Sequence, residues 1–331
     1  MAVYTAVPAE ALADFLADYD CGTLISAKGI AEGVSNSNFL VETTGSDGLG
    51  HRYILTLYEH RTDPEDLPFF IDLLDHLGAK GLPVPRFIPD SVGHHVKTLC
   101  GRPACLIEFL TGVSVTEPTA GQAFAAGRAM AELHRAAADF VGARHNDLGI
   151  DGWQPLAASC DGDLDSIAPG LEARVTDELA HLTAAWPDRL ARSVIHADLF
   201  PDNVLMLGER VTGLIDFYFS CTDIRAYDLA VIHGAWCFDG DGATYHADRG
   251  EALVAGYQSL LPLSAEERAA FSTLCRGAAI RFLLTRAYDW INTPADAMVT
   301  RKDPLAYLRR LDFYAAASAD SLLGASVEAR P

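Results

Sequence analysis

The sequence has 331 residues, 50% of them hydrophobic, which is enough to bury a substantial core and inconsistent with a disordered chain. Its 25 Lys and Arg face 45 Asp and Glu, and the formal charge of -20 repels phosphate backbones and anionic lipid, so neither nucleic acid nor a membrane surface is an expected partner. Seven cysteines, an odd number with no Cys-x-x-Cys pair, point to a reducing compartment and not to a disulfide framework.

The opening segment MAVYTAVPAEALADFLADYD is acidic and lacks the basic region and apolar core of a secretory signal, and no run approaches ~18 uninterrupted apolar residues. A cytoplasmic location is the expectation. The first hundred residues then predict a small antiparallel sheet. IAEGVSNSNFLVET (30–43) reads as two strands around a polar turn, and HRYILTLYE (51–59) as a third. Asp63-Pro64-Glu65-Asp66 offers a cap, a first-turn proline and first-turn acids. Leu67, Phe70, Ile71, Leu74 and Leu77 follow at helical spacing, up to a stop between Gly78 and Pro83. Two more apolar runs, HHVKTLCG and RPACLIEFLTG, precede a change of composition near Gly112. Beyond it helices dominate, at 120–140, 266–290 and 304–323, with a strand-like island at 193–219 between them. No repeat or long linker separates the parts. The expected fold class is therefore α+β in two lobes, a small antiparallel sheet in 1–110 and a mostly helical 111–331.

The island holds His196-Ala197-Asp198-Leu199-Phe200-Pro201-Asp202-Asn203 and, at the end of a second apolar strand, Leu214-Ile215-Asp216-Phe217. This order resembles the kinase pattern H-x-D-x-x-x-x-N followed by D-F-G. Phosphoryl transfer needs a carboxylate to take the acceptor hydroxyl's proton and hard oxygens to hold Mg²⁺ against the phosphates. Asp198 is the expected base, Asn203 and Asp216 the expected metal ligands, and His196 a brace for the loop. Any one of these acids alone reads equally well as a turn or strand-end cap. Four in order, with an apolar strand before each Asp, read as a site. Tyr218 stands where the pattern has glycine.

With HADLFPDN in place of H-R-D-L, the motif resembles the aminoglycoside-phosphotransferase and choline-kinase superfamily of small-molecule kinases. GVSNSNFLVET, YILTLYEHRTDPEDLPFFIDLLDHLGAKGLPVP, IEFLTG and VIHADLFPDNVL resemble bacterial homoserine kinases of the phosphotransferase type, over most of residues 25–235. The resemblance implies a protein-kinase-like bilobal fold, ATP and Mg²⁺ as cofactors, and phosphorylation of the side-chain hydroxyl of L-homoserine, a step toward threonine. A kinase for another amine alcohol (aminoglycoside, choline, hydroxylysine, methylthioribose) and a nucleotide-binding pseudokinase scaffold are the alternatives.

The resemblance also implies roles for individual residues. Residues 29–38, with Ser35 and Asn36, would cover the ATP phosphates, where a plain hairpin turn reads equally well. Leu106–Leu110 would be the hinge, with main-chain groups at Glu108 and Leu110 for adenine; an ordinary buried strand would look the same. Thr56 stands where related kinases usually place a lysine. Ile54 shares its strand face and would cover adenine, while the missing cation is expected from Arg61 ahead of Arg52, His60 and Lys28. Glu65 and Asp72 then read as solvated or capping acids. Asp228 either supports the loop or caps its helix. Arg281, Tyr288, Asp289 and Trp290, in RFLLTRAYDW, would line the acceptor pocket, with core or surface positions as the alternative. His134 and Cys221 read as structural, Tyr257 and Phe271 as core.

Overall fold

In the computed structural model, which describes residues 4–30, 36–45, 48–59, 63–187, 189–293 and 301–324, the chain divides after Thr111 into two units. The first contains α1 (Ala9–Leu16), β1 (Thr23–Gly29), β2 (Ser37–Thr44), β3 (Gly50–Leu57), α2 (Leu67–Ala79), β4 (Phe87–Ile88), β5 (Lys97–Leu99) and β6 (Arg102–Glu108). Its strands form one sheet in the order β1-β2-β3-β6-β4, with β5 also on β6, and every pairing is antiparallel. Alternation along β2 turns Phe39 and Val41 inward, where they meet Leu55, Leu57 and Leu106 of the sheet and Leu12, Phe15 and Leu16 of α1. Burial of each such side chain contributes about 1.5–3 kcal/mol.

The first strand lies earlier than its sequence pattern suggests, at Thr23–Gly29, and Ile30 belongs to the connection that follows. Polar, exposed TLISAKG carries too little apolar alternation to announce an edge strand. The Asp63 carboxylate accepts from the Glu65 N–H at 2.9 Å and caps the turn leading into α2, which buries Leu67, Phe70, Ile71, Leu74 and Leu77.

The second unit contains α3 (Ala120–Ala136), α4 (Ile150–Ala158), α5 (Leu164–Ile167), α6 (Leu171–Ala185), β7 (Arg192–Ile195), β8 (Val204–Leu207), β9 (Arg210–Leu214), β10 (Cys221–Ile224), α7 (Arg225–Trp236), α8 (Ala247–Gln258), α9 (Ala265–Asn292), α10 (Leu305–Ala316) and α11 (Ala319–Leu323). Two short antiparallel ribbons, β7 with β10 and β8 with β9, carry the island at 193–219. Helix α3 starts on a capping box between Thr119 and Gln122, and α9 on one between Ser264 and Glu267. The predicted helix over 304–323 is two helices, because Ala317 leaves helical geometry and the Ser318 hydroxyl caps a new start. Trp153, Trp186 and Tyr227 stack edge-on, at 5.0 and 5.6 Å between ring centroids, and leave Gly277 of α9 no room for a side chain. No helix among the described residues is long and apolar enough to cross a membrane, and all seven cysteines are free thiols.

Helices α3 and α8 meet backbone to backbone. A Cβ on Gly127 would lie 2.0 Å from the Leu253 carbonyl oxygen, and one on Gly256 would lie 2.0 Å from that of Phe124. Gly234 in α7 differs, since the nearest atom to a Cβ there is 3.6 Å away. Alanine gains about 1 kcal/mol of helix propensity over glycine at any of these positions, but forcing the α3–α8 pair apart costs about 1–3 kcal/mol or more. Gly127→Ala and Gly256→Ala are therefore expected to lower the urea midpoint, whereas Gly234→Ala raises it or leaves it unchanged. Equal, stabilising shifts for all three would contradict the close crossing.

Candidate active site

The segment from His196 to Asn203 leaves β7 and turns back before β8, and most main-chain polar groups along its first half have a partner. The Asp228 carboxylate, fully buried in the first turn of α7, accepts the His196 N–H at 2.9 Å and the Ala197 N–H at 2.8 Å. The Arg281 guanidinium donates to the Ala197 carbonyl, and the Trp236 indole donates to that of Leu199 at 2.9 Å. His196 Nδ1 accepts the Asp198 N–H at 3.3 Å, and Asn203 Nδ2 donates to the Asp198 carbonyl at 2.8 Å. These bonds hold Ala197 at φ 64°, a left-handed conformation that an alanine adopts only under constraint.

The second acid is tied to the first through His196. With Nδ1 accepting, Nε2 carries the proton and donates to the Ile215 carbonyl at 3.0 Å, while the Ile215 N–H reaches the Asn203 carbonyl at 3.0 Å. Burial holds the His196 ring below its ordinary pKa, in keeping with a neutral brace. Asp216 is also left-handed, at φ 64° and ψ 60°, before a short 3₁₀ turn over Phe217–Phe219. Tyr218 is absent from the positive-φ residues, so the turn does not require the glycine of the kinase pattern. Phe217 is buried, its ring 4.5 Å from that of His196.

Asp198 accepts a second contact from Asn203 Nδ2, at 3.3 Å on its carboxylate. Desolvation by the surrounding protein pushes the Asp198 carboxyl up to about 7; Arg281 opposes the shift, and Asp216 and Asp202 add to it. The same cause, reinforced by Asp202, pushes Asp216 up to about 6, although Asp216 keeps an exposed edge that water can reach. Two hard carboxylates and an amide thus gather in one place with their negative charge incompletely balanced. Asp228 behaves oppositely: burial raises it, but the His134 ring, His196 and the main-chain N–H bonds outweigh that cost and hold it below the ordinary carboxylate value. His134 Nε2 lies 2.9 Å from Asp228, and its Nδ1 lies 2.9 Å from the Tyr257 hydroxyl.

In the first unit, buried Thr56 donates to Asn38 Oδ1 across the strands at 2.8 Å, and the half-buried Ile54 lies two residues before it. Arg52 is taken by Glu42 at 3.0 Å and lies over the Phe109 ring, while Lys28 is exposed. Ser35, His60 and Arg61 lie outside the described residues. Asn36 is buried, and its Oδ1 accepts the Glu59 N–H at 3.3 Å. At the end of β6 the Glu108 N–H goes to the Arg86 carbonyl at 2.9 Å, so among the adenine-facing groups expected there this donor is engaged, whereas the Leu110 N–H has no acceptor among the described residues.

The residues expected to line an acceptor pocket separate. Arg281 is 1% exposed and its guanidinium lies beneath the loop, too deep to meet a solute carboxylate. Tyr288 and Trp290 are exposed near the end of α9, where Trp290 is covered by Arg301 at 4.8 Å, and Asp289 lies between them half-buried. The helix-capping alternative for Asp228 does not hold, because Ile224 is the N-cap of α7 and makes no side-chain cap bond. Sequence reasoning missed Trp236 and the link from His134 to Asp228. A polar histidine on the alanine-rich buried face of α3 was the available signal.

Residues 26–263 match the model of the phosphotransferase enzyme family. The chain is 54% identical over 314 residues to a homoserine kinase of Methylobacterium radiotolerans, covering 95% of this chain and 96% of the relative. It is 52% identical over 316 residues to a homoserine kinase of Xanthobacter autotrophicus, covering 96% and 97%. Among solved structures, an amicoumacin kinase in complex with AMP-PNP, Ca²⁺ and Ami is similar at a TM-score of 0.69 and 14% identity, over 94% of each chain. A spectinomycin phosphotransferase with ADP and spectinomycin is similar at 0.69 and 12%, over 96% of this chain and 100% of the other. At such identities these two structures speak to the fold.

Removing the Asp228 carboxylate strands two buried N–H groups and a histidine, a loss of about 3–5 kcal/mol. Asp228→Ala should lower the unfolding free energy by that amount in urea titrations from pH 5 to 8. Because the carboxyl is depressed in the folded state, its contribution is complete above the ordinary carboxylate pKa and fades only as pH falls below about 4. A wild-type-to-variant gap that narrows already between pH 8 and 6 would contradict this assignment.

Proposed function

The chain belongs to the phosphotransferase enzyme family and within it to the homoserine kinases, and on that premise we propose that it transfers the γ-phosphoryl group of ATP to the side-chain hydroxyl of L-homoserine. Identity above half with homoserine kinases along nearly the whole chain is the observation that carries this reading, and the acids gathered at Asp198 and Asp216 give it a chemical basis. Residues 1–110 hold the nucleotide, and 111–331 supply the loop and the acceptor site.

Asp198 takes the proton of the acceptor hydroxyl as its oxygen bonds to phosphorus and the ADP oxygen leaves. A carboxyl raised to about 7 is a stronger base than an ordinary one, and the bond from Asn203 fixes its orientation. With Asn203 Nδ2 turned to Asp198, its Oδ1 and the Asp216 carboxylate would hold the metal. This hard-oxygen pair fits Mg²⁺, which is commonly held by one or two protein groups with water and substrate phosphate; no group of three His, Cys, Asp or Glu able to hold a metal occurs among the described residues. Bound Mg²⁺ offsets the negative charge of the phosphates. On the nucleotide side, the Leu110 N–H and the Glu108 carbonyl would serve adenine and Ile54 would cover it, the Glu108 N–H being engaged by Arg86. Ser35 would meet phosphate oxygens and Arg61 would supply the cation that Thr56 does not, while Asn36, buried and bonded to the Glu59 N–H, supports the loop from within instead of meeting phosphate through its side chain. His196 and Asp228 position the loop without touching a reactant.

Asp198→Asn keeps the volume and removes the base, so kcat is expected to fall by about 10²–10⁴-fold with the thermal midpoint little changed. Asp216→Ala should instead raise the Mg²⁺ concentration needed for half-maximal rate. Full turnover in folded Asp198→Asn, or an unchanged Mg²⁺ requirement in Asp216→Ala, rejects the respective role.

Acceptor identity is tested by ADP release with L-homoserine, choline, a kanamycin-type aminoglycoside and 3-amino-1-propanol at saturating Mg-ATP, with product analysis to locate the phosphate. A site built to pair both charged ends of an amino acid rejects analogues lacking one by orders of magnitude. Homoserine should therefore show the highest kcat/KM. A higher value for choline or the aminoglycoside removes the homoserine assignment and leaves a kinase of another amine alcohol.

A further inference from the structure

Most buried or half-buried arginines of the second unit have their charge or N–H groups engaged within the fold. Arg174 and Arg276 pair with Glu178, Arg225 pairs with Glu267, and Arg310 donates to three main-chain carbonyls. Arg286 is different. It is half-buried, and its one hydrogen bond among the described residues runs from Nη1 to the Asp303 carbonyl at 3.1 Å; no carboxylate there pairs with it. The guanidinium lies 4.6 Å above the Tyr307 ring, whose buried hydroxyl has no hydrogen-bond partner among the described residues.

The position of Arg286 relative to the loop follows from helical spacing and ring packing. Arg286 stands four residues after Phe282 on α9, so both occupy one face. Phe282 packs against Tyr307 at 5.1 Å and against Phe200 at 4.9 Å, and Phe200 is two residues from Asp198. Burial lowers the pKa of Arg286, and Tyr307, Asp303 and, more weakly, Asp198 pull it back, so the guanidinium lies within reach of the base's charge. The other cations near the loop are poorer candidates for a solute anion. Arg281 is closed off beneath the loop, and Lys302 is an exposed ammonium shared with Asp202 at 3.9 Å. A planar guanidinium braced by an aromatic ring and poor in solvent is suited to a carboxylate in two-point contact.

We propose that Arg286 anchors the α-carboxylate of the amino-acid acceptor while Asp198 meets its hydroxyl, which makes Arg286 the residue that separates homoserine from amine alcohols without a carboxylate. The assignment rests on the homoserine reading above and adds the group that enforces it.

The test compares L-homoserine with 3-amino-1-propanol, which lacks the carboxylate, in wild type, Arg286→Lys and Arg286→Gln. Loss of a charge-assisted contact predicts that Arg286→Gln lowers kcat/KM for homoserine by about 10²-fold, mainly through KM. Aminopropanol and ATP parameters should stay within about 2-fold, no more than the weakest neutral hydrogen bond is worth, and Arg286→Lys should fall between. The ratio of the two acceptors in one preparation does not depend on the folded fraction, so a fold defect cannot imitate the result. An equal loss for both acceptors, or a loss in kcat alone with KM for homoserine unchanged, overturns the anchor. If wild type itself prefers aminopropanol, the homoserine reading falls first, before any variant is measured.

Discussion

The Asp228 carboxylate is the constraint on which the loop depends. Two main-chain N–H groups at the turn of the loop point into the interior, where water cannot satisfy them, and one carboxylate accepts both. An ionised acid in that position would be costly by itself. The His134 ring and its contact with Tyr257 extend the network by two buried side chains, and the sum keeps Asp228 charged. Because Asp228 sits in the first turn of α7, the favourable field at the helix N-terminus acts in the same direction. The rigid body that positions Asp198 is thus α7 with α3 and α8 behind it, and the backbone contact at Gly127 and Gly256 is what brings Tyr257 within reach of His134.

From that anchor the strained positions become intelligible. Ala197 and Asp216 both hold left-handed backbone, a cost of about 1–2 kcal/mol for a residue with a Cβ, and each is flanked by hydrogen bonds that leave it no relaxed alternative. His196 couples the two. One ring nitrogen accepts from the loop and the other donates to the residue before Asp216, so the acids are held by the same neutral imidazole. Desolvation raises the half-buried Asp198 first, with Asp216 and Asp202 adding to it, and Asp216 is raised in the same direction although its side chain is exposed. The same desolvation would make a cation there more effective, whether Mg²⁺ held as proposed by Asn203 and Asp216 or the guanidinium proposed on α9.

The N-terminal unit uses different means. Where related kinases are expected to carry a lysine, Thr56 satisfies its hydroxyl on Asn38 inside the sheet, and Arg52 at the other end of the strand is consumed by Glu42. Charge for the phosphates therefore has to come from outside this strand. The segment proposed as the hinge, in contrast, asks only for main-chain geometry, and the Leu110 N–H has no acceptor among the described residues.

Local pattern was enough for the antiparallel sheet, for α2 with the Asp63 cap ahead of it, for the presence of α3 and α9, and for the order His196, Asp198, Asn203, Asp216, because each depends on neighbours within a few residues, whereas the capping boxes of α3 and α9 emerged only in the structure. The edge strand β1 was misjudged where polar residues break the alternation, and the division of 304–323 into two helices turned on a single cap at Ser318. What tertiary structure alone decided were the partners of charged side chains. Asp228 reads equally as a cap or a support until the fold brings His134 to it across 94 residues and His196 across 32. Arg281 and Arg286 are five residues apart on one helix and look alike in sequence. Only packing buries the first against the Ala197 carbonyl, 84 positions away, and leaves the second half-open over Tyr307, since the environment of a charge depends on what the rest of the chain places around it.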